Sequence, residues 1–418
     1  MERFLILSSI ALGIAVLGGF LNEKKFYLTY EIALLLFALP IGLCVTLIAA
    51  LVKNSSVQEV LLSDQIYDLE NFLLKGVLCF MLFAGSCRLR FKQFRENLRS
   101  VSVLAFFCTL VGAVIYGLLF WGISLLLSLP FSLPVCLMFG SIIAPTDPIA
   151  ATSILAKFGL PKVTGFLMEG ESLLNDGVGV ALFVVFSGMA ASGSGGSFLA
   201  VMLREIVGAV ITGIVIMLLC FQVIRLTEDK HRKVMASLFS VSCAYVICEM
   251  LEFSGAIACV VCGVVFATLR DREEAKGRKP ELESFDGFWE MLDTLLNSLL
   301  YVIMGLTFVR ILQMERILLL SLLAVVSNFA ARYGSLFAGT FLMGTLPDGA
   351  DRNRFSLLFT WGGLRGGLSI ALAMSTAAML PENAYHILLG CVYAIVFFTT
   401  VVQGLTMKKV YGILKGRS

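Results

Sequence analysis

Charge is what this sequence has least of. Only 15% of its 418 residues are Asp, Glu, Lys or Arg, against about 25% in a soluble domain. The net charge of +3 is too small to point to an electrostatic partner. With 58% hydrophobic residues and a mean hydropathy of +0.92, this scarcity excludes a soluble enzyme, a disordered chain and a nucleic-acid binder. Histidine is nearly missing too. His231 and His386 are the only two, so no histidine-based metal site is supported. There is no H-E-x-x-H helix, phosphate-binding glycine loop or nucleophile triad. The 11 cysteines all lie in or at the edges of apolar stretches. Cys259 and Cys262 have C-x-x-C spacing, but no second pair accompanies them, and they read as small buried hydrophobes.

What the sequence has is long apolar runs. A membrane-spanning helix needs about 20 mainly apolar residues. About thirteen candidates follow, at 4–21, 31–52, 72–87, 100–127, 134–157, 163–188, 199–226, 233–251, 255–269, 287–309, 317–344, 355–379 and 385–411. The first is followed by Asn-Glu-Lys-Lys without a small-residue cleavage pattern, so it reads as a span and not as a signal peptide. Residues 56–71 are polar and mildly amphipathic, as in an interfacial helix or loop. Most of the 32 Lys and Arg fall in the loops after every odd-numbered span and at the C-terminus. The densest groups are Arg88, Arg90, Lys92, Arg95 and Arg99, then Arg270, Arg272, Lys276, Arg278 and Lys279. The positive-inside rule then puts the N-terminus outside and the C-terminus in the cytoplasm. The expectation is an all-α polytopic protein of a cell (plasma) membrane, with the lipid bilayer as its surroundings and no nucleic-acid partner. No regulatory domain is expected beyond the last span.

A few charges remain inside the spans. Lys75 is near a helix end and can snorkel, but Arg332 lies about halfway along span 11 and Arg365 well inside span 12. Asp147 is near the middle of span 5. Asp176 is close to the midpoint of span 6, with Glu171 a little over one turn before it. Each such charge costs about 2.5–3.5 kcal/mol at the bilayer centre even on a lenient scale. The plain reading is a set of ion pairs tying helices together. The functional reading is a polar site at the membrane midplane, where transporters bind substrates.

Two of these spans carry helix-breaking signals. Span 5 reads S-I-I-A-P-T-D-P-I-A, with Pro145 and Pro148 flanking Thr146 and Asp147. Prolines this close remove backbone donors and disfavour a continuous helix. Span 12 reads W-G-G-L-R-G-G-L-S, and its glycines make unwinding inexpensive. The breaks are seven spans apart, an odd number, so spans 1–6 and 8–13 form an inverted repeat linked by span 7. Paired interruptions in equivalent helices point to a transporter's binding site. Span 6 adds G-E-S-L-L-N-D-G. On a helical wheel Glu171, Asn175, Ser172 and Asp176 sit at about 0°, 40°, 100° and 140°. This polar face offers hard oxygen ligands, which suit alkali cations.

These motifs together resemble the monovalent cation/proton antiporters, and specifically the sodium/proton exchangers of the NhaP/NHE type. A-P-T-D-P-I-A is similar to the family's T-D-P segment, E-G-E-S-L-L-N-D-G to its Asn-Asp ion-binding motif, and G-G-L-R-G-G to the matching segment of the second repeat. E-F-S-G-A-I-A and the R-Y of N-F-A-A-R-Y are also similar. The resemblance covers nearly the whole chain. It implies inverted repeats with two unwound crossing helices, a homodimer and elevator-like alternating access. Residues 1–99 and 199–310 would supply the dimerisation and linker helices, and 100–192 and 315–418 the transport core. Asp176 would be the main carboxylate for Na⁺ or Li⁺ and H⁺. Thr146, Glu171 and Ser172 would complete the ion site and Asp147 would support it. Asn175 stands where electrogenic relatives carry a second Asp, which implies electroneutral 1:1 exchange. Arg332 and Arg365 would pair with acids or helix ends, with Glu171 and Asn175 reaching one of them, Arg332 in preference. No cofactor is implied.

Three other readings stay open at this stage. K⁺/H⁺ or mixed-cation exchange would use the same fold. A cation channel would need a pore-loop repeat, which is absent. An intramembrane aspartyl protease would pair Asp147 with Asp176, but neither lies in a G-x-G-D context.

Overall fold

The computed structural model describes residues 2–26, 30–52, 78–88, 96–147, 151–152, 155, 158–192, 195–277, 283–311 and 317–415. Among these residues the regular elements are all helices, as expected where lipid leaves backbone groups no other partner. They correspond one for one to the thirteen expected spans. In order they are α1 (Glu2–Leu21), α2 (Tyr30–Val52), α3 (Leu78–Ser86), α4 (Leu98–Leu126), α5 (Leu133–Ile143), α6 (Lys162–Ser192), α7 (Gly195–Leu226), α8 (Lys230–Met250), α9 (Gly255–Ala275), α10 (Glu283–Ile311) and α11 (Ile317–Met343). Then come α12, in two halves (Arg352–Gly362 and Gly367–Ser375), and α13 (Glu382–Lys415). Six are long and apolar enough to cross a bilayer by themselves, namely α4, α6, α7, α8, α11 and α13. The segment 56–71, Lys75 and Pro148 lie outside the described residues.

Local chemistry sets several boundaries. Asp229 caps α8 by accepting from the His231 and Arg232 amides at 2.7 and 3.3 Å. Ser254 caps α9 through the Ile257 amide at 3.4 Å, and Asp351 caps α12 through Asn353 and Arg354 at 3.1 and 3.3 Å. Each cap satisfies amides that the first helical turn leaves without a partner. The ninth helix runs past the apolar stretch that defines span 9. Its last turns hold because Arg270 is buried against Asp286 at 3.1 Å, with its guanidinium over the Phe266 ring. A basic residue that hydropathy assigns to a loop is thus helical by virtue of its partners.

The most extensive helix pairings fall into two sets. In one, α10 packs on α2, α9 on α3, and α7 on both α8 and α9. In the other, α4 packs on α5 and α11, α5 on α6, and α11 on α13. Each set has an aromatic nucleus. Phe83 lies 4.5 Å from Trp289 and Phe266 lies 4.6 Å from Phe285, ring centre to ring centre. The buried Trp289 N–H reaches the Ser237 hydroxyl at 3.1 Å. In the second set Phe139 meets Tyr116 and Phe120 edge-on at 4.9 and 4.7 Å, the arrangement ring quadrupoles favour. Cys259 and Cys262 are fully buried in the helix packing, and among the described residues no group of His, Cys, Asp or Glu could hold a metal.

The fifth helix ends at Ile143, before Pro145, and α12 is interrupted over 363–366. The two unwound stretches cross. The Asp147 amide donates to the Leu364 carbonyl at 2.8 Å, a lone antiparallel bridge. Close approach is possible because Gly366 lies against Asp147, where a Cβ would come within 3.0 Å of the aspartate's own Cβ. The Pro145 ring in turn rests on Gly179 of α6, where any side chain would collide with it.

Candidate functional site

An unwound backbone in mid-membrane must find other hydrogen-bond partners, and here it does. The buried Arg365 guanidinium donates to the Ala144 and Pro145 carbonyls at 2.7 and 3.0 Å and to the Asn328 side-chain carbonyl at 2.9 Å. A cation thus sits at the carboxyl end of α5, where the helix dipole favours it. The Arg365 amide donates to the Thr399 hydroxyl at 3.1 Å. Its carbonyl accepts from Tyr301 and Thr400, both at 3.3 Å.

The sixth helix faces the crossing from the other side. Arg332 Nη1 meets Glu171 Oε1 at 2.6 Å, with both side chains buried. Asn175 does not join this pair. Its amide nitrogen donates to the Thr146 hydroxyl at 2.8 Å, and its carbonyl accepts from the Thr146 amide at 3.3 Å. The expected contact between Asn175 and Arg332 is therefore replaced by a lock on the unwound stretch. The Ser172 hydroxyl donates to the Thr146 carbonyl in a short bond. Two residues of α6 thereby hold Thr146 by its amide, carbonyl and side chain.

Beside this lock lies a cavity of about 330 Å³. Thr146, Asp147, Ser172 and Asp176 line it from the crossing, and Gly366 and Gly367 from α12. Asp176 points across it toward α3, where a Cβ on Gly85 would lie 4.0 Å from Oδ2. Among the described residues no ion pair reaches Asp176. Glu171, expected among the ion ligands, is not in the cavity wall; its carboxylate is taken by Arg332. Thr146, Asp147, Ser172 and Asp176 are thus brought together on the cavity, whereas Glu171, Arg332 and Arg365 are buried away from its wall.

The cavity also holds residues that the sequence reading does not assign to the site. Asp293 and Asn297 of α10, Arg88 at the end of α3, and Glu169 of α6 share its wall. Asn297 donates to Asp293 at 3.1 Å, and Arg88 reaches Asp293 at 3.4 Å. A signal was present in the sequence. Asp293 and Asn297 are an i, i+4 pair, and so share one face of a helix.

A family model described as sodium/hydrogen exchanger, transmembrane, matches residues 10–411. The Na⁺/H⁺ antiporter NhaH of Halobacillus dabanensis is 30% identical over 416 residues, which are 97% of this chain and 96% of that one. The Na⁺/H⁺ antiporter NhaP of Pseudomonas aeruginosa is 30% identical over 81% of this chain and 80% of its own length. Among solved structures, the sodium proton antiporter MjNhaP1 of Methanocaldococcus jannaschii superposes with a TM-score of 0.78 at 20% identity. That likeness covers 99% of this chain and 98% of the other, and shows that the antiporter fold is shared. The chain therefore belongs to the sodium/hydrogen exchanger family, and is a multi-pass membrane transporter rather than an enzyme.

Proposed function

We propose that this protein exchanges Na⁺ or Li⁺ for H⁺, one for one, with the two ions competing for the Asp176 carboxylate. The observation that carries the reading is the contrast at the crossing: Asp176 faces a cavity without an ion pair among the described residues, while the neighbouring Arg332 and Arg365 are held through their terminal nitrogens by Glu171, by the Ala144 and Pro145 carbonyls and by Asn328. Oxygens of Thr146 and Ser172 complete the ion's shell, and Asp147 adds negative charge beside it. Glu171 acts through Arg332, fixing the helix that carries both Ser172 and Asp176.

Formal charges of the crossing support the stoichiometry. At the crossing Glu171 is paired with Arg332, and the charges of Asp147 and Arg365 balance in number, which leaves Asp176. Binding either Na⁺ or H⁺ at Asp176 neutralises that carboxylate. Empty and ionised, it carries a charge that is costly to move through the membrane. Only loaded states cross, which couples the two fluxes without ATP. Raising the pH then favours cation binding and lowering it inhibits exchange. The set of α4–α6 and α11–α13 would travel as the transport core, and the remaining helices would stay fixed at a homodimer interface. The Lys and Arg of the loops support a cell-membrane location with the N-terminus outside and the C-terminus in the cytoplasm. The physiological work would be sodium extrusion or pH homeostasis.

The test is proton flux in proteoliposomes. A preformed pH gradient is followed with a dye while Na⁺, Li⁺ or K⁺ is added. Collapse by Na⁺ and Li⁺ in the parent but not in Asp176→Asn supports the reading. Collapse by K⁺ alone keeps the fold and moves the substrate to potassium. A potassium/valinomycin potential, worth about 2.3 kcal/mol per charge per 100 mV, should leave the rate unchanged; a clear dependence removes the 1:1 stoichiometry.

A further inference from the structure

A positively charged side chain in the wall of a cavity meant for cations needs a reason. Arg88 Nη2 lies 3.4 Å from Asp293 Oδ2 and 3.3 Å from the Trp289 carbonyl, to which it donates. The other Asp293 oxygen accepts from Asn297 at 3.1 Å. Arg88 is partly exposed and Asp293 mostly buried, and both share the cavity wall with Asp176. The pair belongs to α3 and α10, whereas Asp176 and Asp147 belong to α6 and the α5 break. A cation entering the cavity, whose wall also carries Asp147 and Glu169, would thus meet Asp176 and Asp293 in different states. Asp176 is reached by no ion pair among the described residues, whereas Asp293 is already occupied by a tethered guanidinium.

We propose that Arg88 and Asp293 form a charge-neutral element that determines how strongly cations are drawn to Asp176. This rests on the antiport reading above. Arg88 keeps Asp293 from acting as a second cation site that would hold the ion short of Asp176. Asp293 in turn cancels the field of Arg88, which would otherwise repel the ion from the cavity. Clefts of one sign focus or deplete counter-ions by tenfold or more, so the two residues act on apparent affinity in opposite directions. A bridge that merely clamps α3 to α10 predicts otherwise: loss of either partner would lower stability and turnover together.

The experiment measures Na⁺-driven proton flux in proteoliposomes against Na⁺ concentration, for Arg88→Gln, Asp293→Asn, the double variant and Arg88→Lys. Asp293→Asn should raise the apparent KM for Na⁺ roughly tenfold, an effect that added impermeant salt weakens. Arg88→Gln should lower the KM several-fold. The double variant should return toward the parent, and Arg88→Lys should stay near it. Shifts of the same sign in both single variants, or no shift in either, would overturn the proposal. If a glutamine or asparagine variant fails to fold, a parental KM in Arg88→Lys combined with a parental KM in the double variant supports it, and a shifted KM in both defeats it. A parent that moves no protons with any cation defeats the antiport reading itself, and so is told apart from a failure of the Arg88–Asp293 proposal.

Discussion

Glu171 and Asp176 are little more than one turn apart on the same helix, yet they meet opposite surroundings. Glu171 is buried against Arg332 at 2.6 Å. Asp176 faces a cavity, and no ion pair reaches it among the described residues. One carboxylate is consumed in holding helices together and the other is left available. Charge inside a membrane is costly in either case, so what separates a structural charge from a working one is whether the fold supplies a fixed partner. The arginines teach the same lesson. Arg365 lies under the crossing with its two terminal nitrogens committed to Ala144, Pro145 and Asn328. Arg88 lies at the cavity wall and is tied to a single carboxylate.

The largest effect in this comparison is expected on the open side. Asp176→Asn should reduce Na⁺-driven proton flux to the background of empty liposomes. The thermal melt of the detergent-solubilised protein should be unchanged or raised, because a desolvated charge is removed. Residual exchange would mean that another carboxylate carries the ion. On the closed side, Glu171→Ala leaves a buried guanidinium without its partner, and such losses cost about 3–5 kcal/mol. It should lower the melting temperature strongly, and Glu171→Ala with Arg332→Met should recover much of that loss. A Glu171→Ala protein as stable as the parent but with a raised KM for Na⁺ would return Glu171 to the ion shell.

A smaller change blurs the two sides on purpose. Asn175→Asp replaces the amide that donates to the Thr146 hydroxyl and adds a second carboxylate beside Asp176. Exchange should slow and become dependent on membrane potential. Potential-independent exchange in that variant would show that charge count alone does not set the stoichiometry.

The smallest effect lies away from the site, at the exposed Asp229 cap. Its two amide bonds hold the carboxyl below the ordinary carboxylate range. A depressed value in the folded state contributes stability above the unfolded value and loses it as pH falls through the folded one. Asp229→Ala should therefore melt slightly lower than the parent at neutral pH. The difference should close as the medium is acidified through the carboxylate range, with no change in transport at saturating Na⁺.

Much of this was legible in the chain itself, for reasons of solvent. Lipid leaves few backbone solutions, so apolar runs and loop charges announce the spans and their order. Pro145 and the glycines around Arg365 announce the two breaks, because a missing amide and a missing side chain act locally. Charges in apolar runs single out Glu171, Asp176, Arg332 and Arg365 for the same reason. Partnership was decided only by the tertiary structure. Glu171 pairs with Arg332, Asn175 turns to Thr146, and Arg365 caps α5 because helices distant in sequence bring those groups within hydrogen-bond reach. Asp293 and Asn297 illustrate the limit. Near the polar start of α10 they look like residues at a membrane edge, and only the packing of α10 beside α3 and the crossing puts them in the wall of the cavity. Sequence determines which groups are expensive to bury; the fold determines which of them find a partner, and so which remains free to bind an ion.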